Sequence, residues 1–277
     1  MATQATKLAP AWAGDAGGRR DTASTRTLRV SVWDLPLRLF HAALGVSVIT
    51  SIISAKIGGD WMKVHGWAGF TVLGLLAFRV AWGLIGSTHA RFANFWPTPG
   101  RLSVYLRGRW EGLGHNPLGA CSVLVLLGLL ALQSLTGLFS CDDIAYAGPW
   151  AAHIQDAWVS RITGWHQQAS NVLLVFIALH LLAVTFHVWV KRSNIVRPMF
   201  TGYKEIHLDA GSTDHAEVDI ANAKQPPAWA VLLALAAAAL AVAVGTAAVL
   251  PEASTNEAPA VTSAPPATTV TGATPSW

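Results

Sequence analysis

The chain has 277 residues, 52% of them hydrophobic and 12% charged, where a soluble domain carries about 25% charged residues. This composition excludes an ordinary water-soluble globular fold and points to an all-α protein embedded in lipid. The formal charge of +4 is small and needs no nucleic-acid partner.

In chain order, residues 1–33 read as a flexible tail. The tail holds Ala, Thr, Gly and scattered arginines without an apolar h-region, so no cleavable signal peptide is expected. The pair Arg19-Arg20 lacks the apolar run that would make it a twin-arginine signal. In Trp33-Asp34-Leu35-Pro36 an aromatic anchor precedes a capping Asp, and Pro falls in the first helical turn, where its missing N–H costs little. Five stretches are long enough to cross a bilayer core, which takes about 20 apolar residues: 37–55, 64–86, 117–139, 164–190 and 228–250. Gly58-Gly59 mark a short turn between the first two, and Pro97, Pro99 and Gly100 lie in the loop 87–116. In the loop 140–163, Trp150, Ile154, Trp158 and Ile162 recur at helical spacing, which predicts a short helix lying in the membrane interface. The expected organisation is a tail (1–33), a four-helix membrane domain (34–204), a polar linker (205–227) ending in Pro226-Pro227, a fifth transmembrane helix (228–250) and an Ala-, Pro- and Thr-rich disordered tail (251–277).

Basic residues divide sharply if the helices alternate in direction. Lys7, Arg19, Arg20, Arg26, Arg29 and Arg38 precede or open the first span. Arg91, Arg101, Arg107 and Arg109 follow the second, and Lys191, Arg192, Arg197, Lys204 and Lys224 follow the fourth. The opposite side offers only Lys56, Lys63 and Arg161. By the positive-inside rule the N-terminus is expected in the cytoplasm of a bacterial cell, with the chain in the inner membrane. Trp61, Trp67, Trp82, Trp158, Trp165, Trp189 and Trp229 fall near span ends, as an aromatic belt would. Cys121 and Cys141 sit at opposite ends of the third span, about 30 Å apart along a helix, and cannot bond to each other. No Cys-x-x-Cys-His, Walker loop, dinucleotide glycine fingerprint or His-Glu-x-x-His run occurs.

Ionisable side chains inside a membrane are costly and usually functional. Four histidines lie within spans: His41 in the first, His65 in the second, and His166 and His180 in the fourth. His166 and His180 are 14 residues apart, about 3.9 turns, so both leave one helix face about 21 Å apart. With alternating spans, His65 and His166 share the outer level and His41 and His180 the inner one. Facing histidines on neighbouring helices can grip a flat porphyrin from both sides. Gly45, Gly66, Gly69 and Gly74 would leave room for it. Arg79, 14 residues after His65, shares its face at the inner depth, where it would neutralise a haem propionate; the alternative is an arginine snorkelling to the surface. His187, seven residues after His180, is an alternate inner ligand, or a partner for a propionate, a quinone or the interface. His89, His115, His153, His207 and His215 fall in loops and read as surface residues.

The segments Val32 to His41, Trp61 to Gly69, His115 to Ala120, Thr136 to Ile144 and Trp165 to His180 resemble the prokaryotic cytochrome b561 family, which includes the b-type subunits of nickel-iron hydrogenases. The resemblance covers residues 30–204. It implies a four-helix core with two non-covalent b haems, and it carries the ligand roles onto His41, His65, His166 and His180. The fifth span and the tail beyond it lie outside that pattern.

The function expected from both lines is electron transfer between a quinone pool and a redox partner, such as a periplasmic c-type cytochrome or an oxidoreductase subunit. The acidic residues Asp142, Asp143 and Asp156 would steer a basic partner toward the outer haem, or equally reflect only the rarity of Lys and Arg on that side. A second expectation within the family is a stand-alone quinone-linked superoxide oxidase. A third, of another class, is a haem-free scaffold or metal transporter. That third reading predicts no Soret band and sits poorly with spans that lack Asp and Glu.

Overall fold

A computed structural model describes residues 26–110, 116–142, 144, 146–192, 194–208 and 226–249. The tail over 1–25, the linker over 209–225, the segment 251–277, and Asp143, His115, His215 and Lys224 lie outside the described residues. Five helices are long and apolar enough to cross a membrane: α1 (Leu35–Ile57), α2 (Trp61–Ile85), α5 (Pro117–Gly137), α6 (Asp156–Trp189) and α8 (Ala228–Thr246). Short helices α3 (Phe92–Phe95) and α4 (Pro99–Leu106) fill the loop after α2, and α7 (Val196–Thr201) follows α6.

The helices that enter from the chain's N-terminal side share one opening device. Asp34 accepts from Leu37 N at 2.8 Å with Pro36 in the first turn of α1, and Asn116 accepts from Gly119 N at 2.6 Å with Pro117 opening α5. Pro227 stands immediately before α8. At the far end, α1 turns into α2 through Gly58 and Gly59, whose φ of 72° and 56° favour residues without a Cβ.

Two stretches read as tail and linker form structure instead. Residues Arg26–Ser31 (β1) pair antiparallel with Tyr203–Leu208 (β2), from Arg26 opposite Leu208 to Ser31 opposite Tyr203. The pairing continues as Val32 N and Trp33 N donate to Gly202 O. Val30 and Val32 are buried, so this sheet clasps the start of α1 to the chain that leaves α6. The all-α expectation is corrected to this extent.

The predicted interfacial helix in the loop 140–163 is also corrected. Ala151–His153 form a single 3-10 turn, and Trp158 and Ile162 belong to the first turns of α6, which runs unbroken for 34 residues, about 50 Å. No Pro interrupts that stretch, so the helix continues from interface to core.

The larger helix contacts run from α1 to α2, α2 to α5, α5 to α6 and α2 to α8. The fifth span therefore packs against the other helices. Ala230 and Ala234 are fully buried beside Leu37, Phe40, Phe78 and Trp82, and Val242 and Ala238 of α8 lie against Gly74 of α2. Small residues let the backbones approach in this way. Gly74's missing side chain makes room for α8, where the sequence reading kept it for a cofactor. Trp82 departs from the expected belt: it is 0% exposed, and its Nε1 donates to Asp34 Oδ2 at 3.0 Å. Trp61, Trp67, Trp158, Trp165, Trp189 and Trp229 are exposed.

Candidate functional site

α6 makes its larger contacts with α5, so the faces of α1 and α2 that look toward it border a gap. Positions seven residues apart set titratable side chains on one or both sides of an apolar one: His41 and Val48 on α1; His65, Val72 and Arg79 on α2; His166, Leu173 and His180 on α6. Seven residues are about two turns, so such positions share a face. Val72 and Leu173 are buried together with Leu76 and Leu130, and Val48, Leu44 and Ile177 pack against them. An apolar layer thus separates two levels of histidines.

At the first level the His65 and His166 rings face each other, with centroids 6.1 Å apart and planes at 87°. Both rings are held from behind. His65 Nδ1 lies 2.9 Å from Ser51 O, a backbone acceptor, so it carries the proton and leaves Nε2 with a free lone pair. Thr136 donates its hydroxyl to Leu132 O at 2.7 Å, which leaves the oxygen to accept His166 Nδ1–H at 3.1 Å. His166 Nε2 then accepts from Gln133 Nε2 at 3.0 Å, while Gln133 Oε1 is buried without a partner. Around the pair lies a cavity of ≈ 210 Å³, in a measure where one water takes about 10–15 Å³. Its walls include Val48, Ser51, Gly69, Leu130, Gln133 and Leu173.

A loop closes over this cavity. Gly148 N donates to Ser140 O at 2.7 Å, Trp150 N to Leu138 O at 2.9 Å, and Asp142 Oδ1 accepts from Tyr146 N at 2.8 Å. Cys141 N is tied to Thr163 Oγ1 of α6 at 3.1 Å. The turn presses Tyr146 onto Gly66, where any Cβ would overlap the phenol ring. Gly66 is therefore filled by Tyr146, whereas Gly69 and Gly45 have open space above them. Burial pushes the Tyr146 phenol up from its ordinary value, so it stays protonated at neutral pH and can donate.

At the second level stand His41 of α1 and His180 of α6. His187 sits beyond them, with Nδ1 donating to Ala183 O of its own helix at 2.9 Å and its ring edge against Phe186. Arg79 is 2% exposed and does not snorkel. It donates to Ala90 O at 3.2 Å, and its guanidinium lies 4.5 Å from the Phe92 ring centre. One carbonyl and one ring leave further N–H donors of this buried guanidinium for the carboxylate that the sequence predicts. Thr136, Gln133, Lys56 and Tyr146 went unassigned in the sequence. All four take their places through which helix or loop faces which.

A model of prokaryotic cytochrome b561 matches residues 32–202. The chain belongs to that family. Three similar proteins are each described as a probable Ni/Fe-hydrogenase B-type cytochrome subunit. The one from Rhizobium leguminosarum bv. viciae is 22% identical over 62% of this chain and 87% of its own length. Those from Cupriavidus necator and Bradyrhizobium diazoefficiens are 22% and 24% identical, over 73% and 70% of this chain and 96% and 92% of their own. No solved structure matches.

Membership in a membrane cytochrome family, together with five apolar helices, makes this cytochrome b561 relative a multi-pass membrane protein, and b-type cytochromes carry haem b. The His65–His166 pair fits that group. The rings stand 6.1 Å apart, and with each Nδ1 bonded to Ser51 or Thr136, Nε2 is the nitrogen that would hold the iron, Gln133 being its present partner on His166. Gln133's orphaned oxygen marks the same gap as polar and incompletely satisfied by the protein.

Proposed function

We propose that the chain is a di-haem b-type cytochrome that carries electrons through the bacterial inner membrane, between the quinone pool and a redox partner. His65 with His166 and His41 with His180 hold the two haems. The observation that carries this reading is the facing of His65 and His166 across a gap, with each Nδ1–H satisfied from behind. Bound haem b supplies reversible one-electron reduction. The protein's residues supply the rest: Ser51 and Thr136 orient the rings, and the Val48, Val72 and Leu173 layer excludes water between the levels. With two histidines holding each haem, the bound group would supply electron carriage in preference to ligand chemistry.

The competing metal-transport reading asks for a different ligand set. Among the described residues no three His, Cys, Asp or Glu side chains converge into a metal-ion site. Two histidines at each of two levels suit axial ligation.

The N-terminus is assigned to the cytoplasm because Arg29, Arg38, Arg91, Arg101, Arg107, Arg109, Lys191, Arg192, Arg197 and Lys204 gather at the sheet-bearing end. The His65–His166 pair then lies toward the periplasm. The partner is a c-type cytochrome or a hydrogenase-like oxidoreductase, the second supported by the names of the similar proteins.

The test uses the purified chain in liposomes loaded with quinol and follows the haem bands by stopped flow. Oxidation by an external c-type cytochrome or by a hydrogenase preparation is expected. Reduction of the haems by superoxide, with no exchange with either protein, would instead favour the superoxide oxidase reading.

A further inference from the structure

The face of α1 that lines the cavity runs Val48, Ser51, Ile52, Ala55, Lys56, in steps of three and four that keep one side of a helix turned inward. It ends on a cation. Three basic side chains occupy the far end of the described structure. Lys63 is 3.5 Å from Asp60, and Arg161 lies over the Trp158 ring at 5.3 Å. Lys56 is the one that lines the cavity beside His65 and His166. Tyr146 lines it too, brought there by the turn anchored on Asp142. The remaining walls are mostly apolar, so these two groups give the cavity a polar rim on the side of the loop.

A lone cation and a neutral phenol at the rim of an otherwise apolar cavity suit a flat apolar body with acidic substituents at one edge. The cation attracts the charge, and the phenol donates a hydrogen bond without adding one of its own. We infer that Lys56 and Tyr146 form the binding site for the carboxylates of the group held between His65 and His166. This rests on the di-haem reading and adds the residues that choose which edge of the porphyrin faces the loop. Arg79, the cation expected for this role at the other level, donates to Ala90 O and lies over the Phe92 ring.

The test is reconstitution of the haem-stripped full chain in detergent with haem b or with its dimethyl ester, whose carboxylates are neutralised. The variants are Lys56→Gln, Tyr146→Phe and the pair combined, with His65→Ala to identify the signal of this site. The wild-type His65–His166 site should bind haem b about tenfold tighter than the ester. Lys56→Gln should remove most of that preference and Tyr146→Phe part of it, with binding of the ester unchanged. Equal binding of haem and ester by the wild type, or a preference that survives in the double variant, overturns the proposal and leaves the di-haem reading standing. Uptake of neither by the wild type overturns both. Circular dichroism of each variant at the wild-type helix content ties the change to the site.

Discussion

Thr136 accepts the Nδ1–H of His166 at 3.1 Å, which leaves the other ring nitrogen of that histidine as an acceptor, held by Gln133 Nε2 at 3.0 Å. A hydroxyl in a membrane helix thus fixes a tautomer on a neighbouring helix, as the partners behind metal-bound histidines commonly do. Thr136→Val keeps the shape and removes the acceptor. Affinity for the haem at this level should fall about 10–100-fold, measured by haem transfer to an acceptor protein, while the second haem is retained. Unchanged affinity would show that Thr136 does not orient the ring.

Asp34 joins three parts of the chain. It caps α1 at Leu37 N and accepts from Trp82 Nε1 and Ser87 Oγ. Asp34→Ala removes the cap and leaves the Trp82 donor, which is fully buried, without a partner. The expected loss is about 2–4 kcal/mol, read as a lower midpoint of thermal unfolding in detergent. Asp34→Asn retains one acceptor and should lose less.

Arg79→Gln separates two roles. With Ala90 O and the Phe92 ring as its surroundings, the variant should unfold at lower temperature yet keep two haems at wild-type midpoint potentials. A potential that moves for the haem at the His41–His180 level would restore the carboxylate-binding role.

Gly74 faces α8, about 200° around α2 from Val72, and a side chain there meets Val242 and Ala238. Gly74→Val should lower stability by about 1–3 kcal/mol and increase proteolysis of α8, with both haems retained. Haem loss would mean that α8 supports the cofactor gap itself.

The sequence displays the spans and the histidine levels because both are local signals: apolar runs long enough for a bilayer, and a 14-residue spacing along one helix. What it conceals depends on distant partners. RTLRVS gives no hint that its partner strand starts at Tyr203, and Trp82 reads as an interface anchor until Asp34, 48 residues away, is brought beside it. Thr136 and Ser51 look like any hydroxyl in a span, since only the packing of α5 beside α6 and α1 beside α2 shows what they hold. Trp158 and Ile162 gave the right periodicity, but that signal does not report whether one helix or two carries it.

Pairing of histidines is tested most directly by counting haem per chain, from reduced pyridine haemochrome spectra of the purified protein. Wild type should hold two. His65→Ala and His166→Ala should each lose the same one, His41→Ala and His180→Ala should each lose the other, and His187→Ala should keep both. Two haems remaining in His65→Ala or His166→Ala, or a wild type with no Soret band, would contradict the account.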